Sequence, residues 1–110
     1  MRSLTATRES RPLIAQVTEL RVVRAPGGAI ITATGLADSQ GYFNAQLVRR
    51  GVENGVLTFD FRVEAPATFE ATGNTATRQI TVATQMDRTS LAGISTIVVN
   101  GQAGSRRVSR

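Results

Sequence analysis

The chain contains no cysteine, no histidine, no tryptophan and no lysine. Without cysteine there is neither a disulfide nor a thiolate metal site, and the fold must hold in any redox compartment on packing alone. Missing histidine removes the commonest general base and the commonest metal ligand together. Serine nucleophiles then lack the histidine or lysine partner that activates them. The glycine-rich "APGGA" at 25–29 is too short for a phosphate loop and has no lysine after its glycines. Aromatics amount to one tyrosine and four phenylalanines. With Phe43, Phe59 and Phe61 assigned to the core, too few remain to stack bases, so nucleic acid is an unfavoured partner. No apolar run reaches 18 residues, hence no transmembrane segment is expected. The opening "MRSLTATRESRP" lacks the apolar core of a secretory signal. A signal removed ahead of it would place the domain in the periplasm or the bacterial envelope. No catalytic residue, cofactor or metal site is expected.

What is present begins with thirteen arginines against eight acidic residues, a net charge of +5 on 110 residues. Arginine is the side chain of choice for bidentate phosphate or carboxylate recognition. Its exclusive use here fits either selection for such contacts or a coding bias of the source genome. The basic excess sits at the two ends: residues 1–24 carry +3 and 76–110 carry +4, while 51–75 carry −3.

The length suits one domain with a single core. Fourteen threonines, with valine and isoleucine throughout, favour strands. No window shows helical periodicity. The strand segments are 13–24, 29–35, 42–50, 56–64, 77–84, 93–100 and 105–109, with a weaker run at 67–71. "APGG" at 25–28 reads as a hairpin turn, and "NGQAG" at 100–104 turns the chain before the last strand. Residues 1–12 read as a flexible N-terminal segment and 13–110 as one domain. About seven short strands separated by turns predict an all-β, two-sheet antiparallel β-sandwich. In pattern and length alone the outline resembles the small immunoglobulin-like or transthyretin-like domains of bacterial envelope proteins.

The hairpin around Asn54-Gly55 can be set in register from its alternation. Leu57, Phe59, Phe61 and Val63 face one side, and Phe43, Ala45 and Leu47 are taken to face the same core. A two-residue turn would oppose Leu47 to Arg62. A three-residue loop, Glu53-Asn54-Gly55, opposes Leu47 to Phe61 and Ala45 to Val63, and is therefore expected. It leaves Arg49 opposite Phe59, a conflict that either a second bulge at Gly51 or an outward reach of the arginine stem would relieve.

Three features invite a functional reading. Asp60 and Glu64 share a strand face with Arg62 between them, which favours two ordinary exposed carboxylates over an acid–base pair. The segment 34–44 gathers Asp38, Gln40, Tyr42 and Asn44, suited to holding calcium, for which one carboxylate is a thin basis, or a sugar, or to making a solvated turn. Tyr42 is its best contact residue. "SRRVSR" at 105–110 is either a charged edge strand or part of a basic patch of Arg21, Arg24, Arg106, Arg107 and Arg110. "TGNTAT" at 72–77 reads as a flexible polar loop. Together these point to a non-enzymatic binding or structural module, acting on an unknown protein through a loop or an exposed sheet edge. Homodimerisation by edge pairing is one form of this. The alternative is a basic module docking on an anionic surface or polymer such as lipid headgroups, nucleic acid or an acidic protein.

Overall fold

A computed structural model describes residues 11–67 and 73–110. In chain order the elements are β1 (Gln16–Ala25), β2 (Gly28–Leu36), β3 (Phe43–Glu53), β4 (Val56–Glu64), α1 (Thr75–Arg78), β5 (Gln79–Asp87), α2 (Arg88–Leu91), β6 (Thr96–Gly101) and β7 (Gly104–Ser109). β1, β2 and β5 form one sheet in that order, and β3, β4, β6 and β7 form the other. All-β, two-sheeted architecture is thus as the sequence predicts. The weak run at 67–71 falls almost wholly outside the described residues.

Alternation builds the core. Ile31 and Ala33 of β2, Leu57, Phe59, Phe61 and Val63 of β4, and Ile97 and Val99 of β6 are buried between the sheets. Each large apolar side chain so enclosed contributes about 1.5–3 kcal/mol. β1 and β7 approach along one flank of the sandwich, and β3 and β5 along the other.

Two corrections concern topology. The sandwich is not wholly antiparallel: β4 and β6 pair in parallel. After β4 the chain crosses to the other sheet, runs through β5 and returns, so it re-enters beside β4 in the same direction. The first predicted strand is also divided. Residues 12–14 lie against the end of β4, with Ile14 N–H donating to Phe61 O and Val63 N–H to Pro12 O. The loop after β6 holds the same segment, through Gln102 N–H to Ile14 O and Ala103 N–H to Ala15 O. The chain then passes to the opposite sheet as β1. Two single-turn helices were not foreseen. Each is too short for periodicity to reveal, and each is started by a side-chain cap, Asn74 on Thr77 N–H and Asp87 on Ser90 N–H. α1 replaces part of the flexible loop expected at 72–77.

The β3–β4 hairpin has the expected core register by a different route. Leu47 opposes Phe61 and Arg49 opposes Phe59, yet Glu53 opposes Val56 across a two-residue Asn54-Gly55 turn. Both turn residues have positive φ, 53° and 77°, the geometry that matches strand twist. A bulge between Arg49 and Gly51 inserts the extra residue that the three-residue loop was invoked to supply. A second register shift between Phe43 and Gln46, with Asn44 at φ 52°, turns Phe43 out of the core. Phe43 is exposed at 51%. Ala45 still packs against the core, though outside the regular ladder, and Tyr42 rather than Phe43 joins it.

Candidate functional site

The most enclosed polar group lies on the outer face of the four-stranded sheet. By parity β4 turns Thr58, Asp60 and Arg62 away from the core. β3 supplies Arg50 from its bulge, and β6 supplies Asn100, which pairs with Asp60 in the parallel ladder. These side chains fold over Asp60 and leave it 1% exposed. Its Oδ2 accepts from Arg50 Nη1 at 3.0 Å and Arg62 Nη2 at 2.9 Å, and its Oδ1 from Asn100 Nδ2 at 3.0 Å. Burial alone would raise the carboxyl's pKa. Hydrogen bonds from Asn100 and Arg50, with the charges of Arg50 and Arg62, outweigh it and hold the group below its ordinary value. Asp60 is therefore a fixed anion rather than a proton donor, and not the exposed carboxylate the sequence suggests. Arg62 also donates to Arg11 O at 2.8 Å, so the cluster ties the N-terminal segment to β4. An open depression of about 710 Å³ lies beside it, lined by Arg50, Glu53, Asn54, Thr58 and Asn100.

Glu64 does not join Asp60. It accepts from Asn44 Nδ2, while Asn44 O accepts from Arg11. The other residues of the 34–44 segment diverge. Asp38 is exposed, Tyr42 is half-buried against the core, and Gln40 reaches toward Gly73. Of the four, only Asn44 sits in a network of charged groups.

The terminal arginines are distributed by strand parity. Arg21 lies on the outer face of β1 and is paired with Glu19. Arg107, opposite Val98, lies on the outer face of the other sheet. Arg106 reaches across the flank, with Nε donating to Val17 O. Arg24 and Arg110 meet at one end of the sandwich, around a depression of about 670 Å³. Arg88 joins them there, a residue that sequence reasoning did not select. Its signal was weak, because a lone arginine after a strand looks like any surface charge.

The third feature is the free edge of β5. Ala37 N–H donates to Arg78 O, which fixes the phase of the β2–β5 ladder. Alternation then directs Ile80, Val82, Thr84 and Met86 toward β2, and the backbone groups of Gln79, Thr81, Ala83 and Gln85 outward. Among the described residues no backbone group pairs with these outward positions. The strand has no register shift, no proline and no charge between Arg78 and Asp87.

Among the described residues no cluster of three or more metal-ligating side chains occurs, and no helix is long and apolar enough to cross a membrane. No protein-family model, curated protein or solved structure matches the chain.

Proposed function

We propose that the protein is a non-enzymatic binding or structural module that works by strand addition at β5, with a second copy of the same chain as the added partner. The observation that carries this reading is the contrast among the four sheet edges. β3 is broken by two register shifts and carries Arg49 and Arg50. β7 carries Arg106 and Arg107 and lies along β1, which has its own shift and charged residues. These are the devices by which proteins block unwanted pairing. β5 approaches β3 along the other flank, but it has no register shift and no charge between Arg78 and Asp87 and presents a row of unpaired donors and acceptors, which suits β-augmentation.

The strand also suits its own image. A two-fold axis at Val82 sets Gln79 against Gln85 and Thr81 against Ala83, so no like charges oppose each other across Gln79–Gln85. A continuous six-stranded sheet would result. The finer sandwich type, immunoglobulin-like or transthyretin-like, rests on strand number and chain length, and the parallel β4–β6 pair counts against its purely antiparallel form.

Sedimentation equilibrium tests the proposal. Wild-type protein is expected to dimerise with rising concentration, and Ala83→Pro to remain monomeric with an unchanged far-ultraviolet spectrum. Ala83 N–H points outward, so proline there removes no bond to β2. Ala83→Lys should act in the same direction. A monomeric wild type, or a dimer that survives both variants, overturns the reading.

A further inference from the structure

The depression where β1, α2 and the end of β7 meet is lined by Arg24, Arg88 and Arg110, by Ser109, and by apolar Val22 and Leu91. We propose that it binds a phosphate group carried on an organic body. This site is independent of the β5 edge and uses a different set of residues.

Three arginines line the depression and no aspartate or glutamate does. The neighbouring acid in sequence, Asp87, is turned to cap α2 through Ser90 N–H at 2.7 Å. Among the described residues the guanidiniums of Arg24 and Arg88 have neither a hydrogen bond nor an ion pair. Arg110 is positioned but not neutralised. Its Nη1 donates to Leu91 O and Ile94 O, and its backbone N–H to Ser95 O. The register sets the other two on either side of the start of β2, both lining the same depression: Arg24 opposes Ala29, Gly28 opposes Asp87, and Arg88 N–H donates to Gly27 O. Like charges gathered in this way repel one another until an anion enters.

The charge and shape select the anion. A phosphate monoester carries about −1.5 to −2 at neutral pH, close to the two unpaired guanidiniums, whereas a carboxylate carries half of that. Two guanidinium forks match phosphate oxygens bidentately. The apolar floor at Val22 and Leu91 favours an ester over the free ion. A soluble phosphate ester and a phospholipid headgroup share this chemistry.

The test is titration with phenyl phosphate at low ionic strength, followed by backbone amide NMR, beside flotation with phosphatidylcholine vesicles with and without phosphatidic acid. Saturable shifts at residues 24–29, 88–91 and 109–110 are expected. Affinity should fall about tenfold or more in Arg24→Gln/Arg88→Gln. Arg21→Gln removes a charge already paired with Glu19 and should bind as the wild type does. Binding to phenyl phosphate identifies a soluble ester. Binding only to vesicles holding phosphatidic acid, lost in the double variant, identifies a headgroup. No saturable binding to either, or an equal loss in Arg21→Gln, overturns the proposal.

Discussion

Asp60 is held by three donors on two oxygens while 1% exposed, so removing it strands two guanidiniums at once. Breaking a fully buried pair costs roughly 3–5 kcal/mol. Here Arg50 is 61% exposed and recovers hydration, which lowers the figure. Asp60→Ala is expected to destabilise by about 2 kcal/mol in urea unfolding. Its pH dependence has a definite sign. Because the folded carboxyl titrates below its ordinary 3.8, the stabilisation is complete above that value and is lost as pH falls below it toward the folded pKa. Asp87, lowered mainly by Ser90 N–H, acts in the same sense. Asp60→Asn should flatten the acid limb of a melting-temperature profile and leave the neutral limb parallel to wild type. Strand parity had already placed Asp60 outward beside Arg62. Parity cannot say that an outward residue of an inner strand will be roofed by long side chains from both neighbours, and this is why the cluster was not legible.

At the scale of elements, the strands were legible because period-two alternation and turn residues agree along most of the chain. Irregularities inside strands were not. The bulges at Arg50 and around Asn44 are chosen by how the core packs, and local sequence marks them only with a glycine or an asparagine. Phe43 shows the consequence, since one inserted residue moves a side chain to the other face. The Asn54-Gly55 turn can be probed directly. A Cβ on Gly55, at φ 77°, would stand 3.1 Å from Ser95 Oγ and 3.3 Å from Gly93 O. Gly55→Ala is expected to cost about 1–2 kcal/mol in urea unfolding while keeping the Leu47–Phe61 register by nuclear Overhauser contacts. Gly28→Ala should be worse. Its Cβ would fall 1.9 Å from Met86 O, a backbone atom that moves only if β2 and β5 separate. Neither the parallel β4–β6 pair nor the sheet switch at Ala15 was legible, because alternation within a strand carries no information about which strand becomes its neighbour.

For the whole molecule, the two proposed contacts respond to salt in opposite directions. Each copy carries +5, so two copies repel at long range, and added salt should tighten β5 pairing modestly. Phosphate binding at Arg24 and Arg88 should weaken over the same range. Sedimentation and NMR titration at two ionic strengths would show this divergence, and a common direction would contradict one assignment. The N-terminal segment has a further consequence. Residues 12–14 run antiparallel to β4, β6 runs parallel to β4, and β7 runs antiparallel to β6. The first and last described segments therefore point the same way along one sheet, and the chain leaves from opposite poles. Tension applied along the chain would load these segments lengthwise, straining several hydrogen bonds together instead of peeling them singly. The Arg62 tether to Arg11 O stands where such a force would enter.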